Sequence, residues 1–266
     1  MEKNFSPEEL DIDLAKNELK DSGFTHYQSK LICNSFQKLE FELEFEQLEH
    51  DPYAPNGINR YRCYGNGVIL PWLNEEKIQW MPTIIKDKAR YSGYNQGSNN
   101  PEHNDMRYFR ALSGDIKSNE VLNQLVIDDF KRTFWPTPNQ NLPIYFGVHF
   151  VKLQACENGD LGISSPNCFH QDGEPFTFAH MFSRTKNAQG GVNYIGEVSS
   201  RNQPLNKINE NEIIDTFTLN DLLETFAVYD PLVTHYVSPI FKNDDTNLPA
   251  ERCMILIDFS QMKQVI

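Results

Sequence analysis

From Pro143 onward the chain is a succession of short, β-prone runs, and this constrains the fold more than any other feature of the sequence. The runs are Ile144–Cys156 (IYFGVHFVKLQAC), Phe176–Arg184 (FTFAHMFSR), Val192–Val198 (VNYIGEV), Thr225–Tyr229, His235–Phe241 and Arg252–Phe259 (RCMILIDF). Each is rich in β-branched and aromatic residues and is bounded by Gly, Pro, Asn or Asp. At least six strands in about 120 residues predict a two-sheet antiparallel sandwich or jelly roll.

The N-terminal part reads differently. Ser6-Pro7-Glu8-Glu9 offers a capping Ser, Pro at the first helical position and Glu at the third. It predicts a helix over 6–22 that stops at Gly23, with Leu10, Leu14 and Leu19 facing inward. A second helical segment is expected around Lys30–Leu39. Residues 50–110 are rich in Asn, Gly, Pro and Tyr, with short strands expected near Gly67–Leu70 and Lys77–Met81. A further helix fits Asn119–Phe130, with Val121, Leu122, Leu125, Val126 and Phe130 on one face. Trp135-Pro136-Thr137-Pro138 then breaks regular structure. The Pro136–Leu142 loop reads as a connection within one domain. The expectation is therefore an α+β chain, a single domain over 1–266. Residues 1–140 form a helical or mixed elaboration, and 141–266 form the jelly-roll core that carries the site.

Hydrophobic residues make up 39% of the 266, enough for a sizeable core. A formal net charge of −13 argues against partners with phosphate backbones and against anionic lipid surfaces. The five cysteines, at 33, 63, 156, 168 and 253, form no C-x-x-C pair, which suits a reducing compartment. MEKNFSPEEL lacks an apolar signal core, and no run reaches the roughly 20 apolar residues of a membrane span. The expected location is cytoplasmic.

Within FHQDG, His170 and Asp172 stand two apart, so in extended chain they point to the same side. An imidazole and a carboxylate can then reach one ion. Alone the triplet means little: 7 His times 37 acidic residues over 266 positions gives about one H-x-[D/E] by chance. His103-Asn104-Asp105 is such a decoy, in a polar loop. Three features favour His170. It lies between strands of the β-rich half. His235, 63 residues past Asp172, opens another strand. Arg252 follows at the start of a third, where a buried guanidinium could clamp a carboxylate. Two imidazoles and one carboxylate form the facial triad of non-haem Fe(II) oxygenases. His149 and His180 alternate with apolar neighbours and read as packed core histidines.

Three blocks carry a resemblance: FHQDGEPFTFAHMFSRTKNAQGG, DPLVTHYVSPIF and ERCMILIDF, with the upstream YNQGSN and MRYFRAL stretches. Together, over Tyr94 to Phe259, they resemble the bacterial 2-oxoglutarate/Fe(II) dioxygenases typified by L-isoleucine 4-hydroxylase. The resemblance implies His170, Asp172 and His235 as iron ligands and Arg252 as the 2-oxoglutarate clamp. It implies Fe(II), 2-oxoglutarate and O2 as cofactors, with hydroxylation of an unactivated C–H bond and release of succinate and CO2. Cys253 stands where the family usually has an acidic residue, and Met254 where many members have Ser or Thr. Halogenases of the wider superfamily have a small residue in place of the acidic ligand, so Asp172 favours hydroxylation.

Family members act largely on free, often aliphatic amino acids. Arg107, Arg110 and Arg184, helped by Tyr94, are candidates to hold a substrate carboxylate. The side carrying Phe178, His180, Phe182 and Arg184 is either the barrel interior or the opposite packed face. Two alternatives stay open: the same cofactors acting on a peptide side chain or biosynthetic intermediate, and a cupin-like binding module with no catalysis.

Overall fold

The computed structural model describes residues 7–73, 77–103, 105–135, 142–243 and 246–262. The cap expected at Ser6 and most of the Pro136–Leu142 connection fall outside them. In chain order the elements begin with α1 (Pro7–Asp21), β1 (Phe24–Gln28), α2 (Ser35–Glu46), β2 (Asn59–Ile69), β3 (Ile78–Trp80), β4 (Ile84–Lys86), β5 (Ala89–Tyr94), β6 (Arg107–Ala111), α3 (Gly114–Ser118) and α4 (Glu120–Arg132). Then come β7 (Ile144–Ala155), β8 (Phe176–Arg184), β9 (Ala188–Gly190), β10 (Asn193–Gly196), β11 (Ile213–Phe217), β12 (Glu224–Tyr229), β13 (Thr234–Val237), β14 (Ile240–Lys242) and β15 (Ala250–Gln261). No helix among the described residues is long and apolar enough to cross a membrane.

A ten-stranded sheet runs β1-β12-β8-β15-β7-β2-β6-β5-β4, with β3 beside β2. Two small sheets, β11-β10-β13 and β14-β9, complete the double-stranded β-helix. Strand parity decides what each face does. Ile144, Phe146, Val148 and Phe150 of β7 and Cys253, Ile255, Ile257 and Phe259 of β15 join the main apolar core, under the helices. Their neighbours His149, Val151 and Leu153, and Arg252, Met254, Leu256 and Asp258, line a cavity on the other face. Phe41 and Phe45 of α2 seal the helical side, their rings 4.9–5.9 Å from those of Phe150 and Phe182.

Several expectations shift. In α1, Leu19 is buried but Leu10 and Leu14 are 55% and 60% exposed. Five residues separate Leu14 from Leu19, a turn of about 140° off a shared face; Ala15 takes the inward position instead. The second helix starts later than expected, because Asn34 caps it with Gln37 as a capping box. The run at His235–Phe241 is two strands: Ser238-Pro239 interrupts it, since Pro brings no N–H to a ladder.

Phe178, His180 and Phe182 point to the helix-covered face, not the barrel interior. His180 Nε2 bonds Asp129 Oδ2 of α4 at 2.7 Å, and its Nδ1 bonds Thr225 Oγ1 at 2.7 Å. The Tyr27 hydroxyl also donates to Asp129, at 3.3 Å. Asp129→Ala therefore strands a buried imidazole and a buried phenol. A loss of about 3 kcal/mol of unfolding free energy is expected in urea titration, with Asp129→Asn costing less because it keeps an acceptor.

Candidate metal centre and cavity

His170 and His235 face each other across an isolated two-residue bridge. Each backbone N–H donates to the other's carbonyl at 3.0 Å, and the rings lie 4.2 Å apart. Asp172, two residues on, turns to the same side. His170 Nε2 is 3.5 Å from Asp172 Oδ1, and His235 Nε2 is 3.4 Å from Asp172 Oδ2. One donor atom from each of the three lies within 4.8 Å of the others. The turn after Asp172 depends on Gly173, at φ +90°, where a Cβ would sit 2.1 Å from the Asn99 amide. Asp230 fixes the same turn by accepting from the backbone N–H of Asp172 at 2.8 Å and of Gly173 at 3.0 Å.

The surroundings prepare these groups as ligands. His170 Nδ1 bonds the Cys168 carbonyl at 2.9 Å, which sets the tautomer and leaves Nε2 as a lone-pair donor. Burial, with His170 alongside, pushes His235 down to about 4, so at neutral pH its ring is an uncharged donor. Burial raises the Asp172 carboxyl, but His235 and His170, with bonds from Thr177 and Gln96, outweigh it and hold the group below the ordinary range. Thr177 Oγ1 donates to Asp172 Oδ2 at 3.0 Å, and Gln96 Nε2 to Oδ1 at 3.1 Å. Two imidazoles and an ionised carboxylate on one side would suit a divalent ion.

Gln96 is itself held by Arg107, whose Nη2 donates to Gln96 Oε1 at 2.5 Å. Arg107 thus braces the carboxylate ligand from behind and does not line the cavity. Gln96→Ala should weaken Fe(II) or Co(II) binding about 10- to 100-fold, measured by anaerobic calorimetry, without unfolding the protein.

The triad opens into a cavity lined also by Arg60, Arg62, Tyr94, His149 and Arg252, and by Val151, Leu153, Ala179, Phe226, Met254 and Leu256. Arg252 is buried, and Nη2 donates to Asn193 Oδ1 at 3.3 Å. Its Nε has no partner and no carboxylate pairs with it among the described residues. Burial, with Arg184 nearby, pushes it down to about 10, so it stays cationic.

The other candidates separate clearly. Tyr94 lines the cavity, and so does His149, which is not merely packed core. Arg184 does not line it: a bulge in β8 brings it opposite Arg252, and its Nη2 donates to the carbonyls of Ala188 and Gly190 at 2.8 Å. Arg110 lies elsewhere, half-exposed and paired with Glu49 at 2.9 Å. His103 packs its ring against Tyr53, away from the triad. Sequence reasoning missed Arg62, Gln96, Thr177, Asp230 and Asp258. A signal existed for Asp258: it shares strand parity with Arg252, at the far end of an otherwise apolar run.

A family model described as 2OG-Fe dioxygenase matches residues 43–258. The L-isoleucine-4-hydroxylase of Bacillus thuringiensis is 24% identical over 184 residues, covering 67% of this chain and 72% of that protein. Among solved structures, IDO from Bacillus thuringiensis superposes with a TM-score of 0.68 at 19% identity, over 95% of this chain and 99% of that one. The Fe(II)/α-ketoglutarate-dependent dioxygenase TqaL gives 0.69 at 12% identity, over 97% and 91%.

Proposed function

We propose that this chain, which belongs to the 2OG-Fe dioxygenase family, hydroxylates an unactivated C–H bond of a free, aliphatic L-amino acid. The family uses Fe(II), 2-oxoglutarate and O2. In our reading His170, Asp172 and His235 hold the iron, Arg252 binds the distal carboxylate of 2-oxoglutarate, and residues 1–266 act as one domain. The carrying observation is the set of three donors converging at a cavity whose walls combine buried guanidinium groups with aliphatic side chains. The relative named for isoleucine hydroxylation supports the choice of substrate class.

Bound iron with its co-substrates supplies the oxidation: one oxygen atom of O2 enters succinate as CO2 leaves, and the other enters the substrate C–H bond. The chain's own residues orient and exclude. Thr177 and Gln96 hold the two oxygens of Asp172 in place. Met254 and Leu256 follow Arg252 along one wall of the cavity and would keep water from the reacting carbon. Asn193, bonded to Arg252, offers an amide beside the clamp where Met254 supplies no hydroxyl.

Purified protein with Fe(II), 2-oxoglutarate and each free amino acid in turn should give one product heavier by a single oxygen, with succinate in equal amount. Succinate release without any oxygenated amino acid across the whole panel would sink the substrate class while leaving the cofactors standing.

A further inference from the structure

We propose that Arg62 and Asp258, spaced by His149, form the seat for the substrate's α-carboxylate and α-ammonium; this rests on the amino-acid reading above. Nε and Nη2 of Arg62 reach His149 Nδ1 at 3.2 and 2.7 Å. Nδ1 must therefore accept, and the ring proton sits on Nε2, which donates to Asp258 Oδ2 at 3.2 Å. Burial, then Arg62, pushes His149 well below its ordinary range, so the ring is neutral. A guanidinium and a carboxyl group thus line one cavity without touching, one imidazole apart.

That spacing matches a zwitterion. The two ring nitrogens are separated by one carbon, whereas the ammonium and the carboxylate oxygens of an α-amino acid are separated by two. Charge-assisted hydrogen bonds of about 2.8 Å at each end let an amino acid lie alongside the ring and span nearly the same gap. Both ends have capacity. A guanidinium has five N–H donors, and only two of Arg62's go to His149. Asp258 Oδ1, on a side chain 5% exposed, has no hydrogen-bond partner.

The seat is rigid and correctly placed. Tyr64 stacks on His149 at 4.3 Å, and Tyr94 meets it edge-on at 4.6 Å. Gly147 leaves the carboxylate its room: a Cβ there would lie 2.6 and 2.8 Å from the Asp258 oxygens. Asp258 pairs across the sheet with Thr177, the residue that donates to Asp172. Arg252 lies six residues away along β15, about 20 Å of strand. This keeps the ammonium seat at Asp258 far from the 2-oxoglutarate clamp, while Arg62, level with Val151 and Met254 across the sheet, lies nearer to it. An acylated amine or an amidated carboxyl would lose one of the two charge-assisted contacts, so blocked forms bind more weakly than the free amino acid.

The test is anaerobic calorimetry on the full chain loaded with Fe(II) and 2-oxoglutarate. It is titrated with the free L-amino acids, then with the N-acetyl and carboxamide forms of the tightest binder. Both blocked forms should bind at least 100-fold more weakly than the free amino acid. Arg62→Gln and Asp258→Asn should each weaken the free amino acid at least 30-fold. Asp258→Asn should not further weaken the N-acetyl form, nor Arg62→Gln the carboxamide. Blocked forms that bind like the free amino acid, or variants that bind like the parent, overturn the seat alone. If no free amino acid binds the parent protein, the amino-acid reading fails and the seat with it. The blocked probes use the parent protein, so the test decides even where a variant does not fold.

Discussion

Asp172→Ala protein is expected to release no succinate above a metal-free background, a loss of about 1,000-fold or more in kcat for 2-oxoglutarate turnover. The carboxylate is the one anionic donor of the triad, and both its oxygens are already oriented, by Thr177 and Gln96. His170→Ala and His235→Ala should behave alike, because each removes a ring nitrogen 3.4–3.5 Å from that carboxylate. The fold should survive. Asp172 is a half-buried negative charge that, after burial of those groups themselves, helps push both Asp230 and Asp258 up to about 7, so its removal relieves repulsion as well as losing two hydrogen bonds. Circular dichroism should match the parent, while calorimetry shows no Fe(II) or Co(II) binding. An Asp172→Ala protein that binds metal and turns over normally removes the triad from the mechanism.

The jelly roll was legible because each core strand carries its own local signal: β-branched and aromatic runs between turn residues. The span Phe176–Arg184 matches its expected limits, and β7 differs by a single residue. Strands β4, β5 and β6 were not legible. Their short segments are held by cross-strand pairing with β2 and one another, a relation that no local window contains. The same limit applies to the site. His170, Asp172 and His235 could be tied together by strand parity and order along the chain. Arg62 could not, because its role arises only when β2 lies against β7 and sets residue 62 diagonal to residue 149. The direction of β8 was undecidable for a related reason. Both of its faces are buried, so alternation alone distinguishes neither the helical core nor the cavity. Arg184 shows the further cost of a bulge, which shifts parity at the strand end without marking the sequence.

Arg252→Gln should raise the KM for 2-oxoglutarate about 100-fold, with a much smaller effect on kcat. The loss corresponds to about 3 kcal/mol, the scale of a charge-assisted carboxylate pair in a dry site. The guanidinium is 4% exposed, and Asn193 Oδ1 is its one hydrogen-bond acceptor among the described residues. A buried cation held in this way is costly to the empty protein. The same substitution should therefore leave thermal stability unchanged or higher when 2-oxoglutarate is absent. It should also abolish the stabilisation that 2-oxoglutarate confers on the parent. Arg252→Lys should recover part of the affinity, since it restores the charge but not the forked donors. This pairing of weaker co-substrate binding with an undiminished melting temperature separates a ligand clamp from a structural arginine, whose loss would lower both together. If Arg252→Gln keeps the parent's KM and melts earlier, the carboxylate is held elsewhere in the cavity.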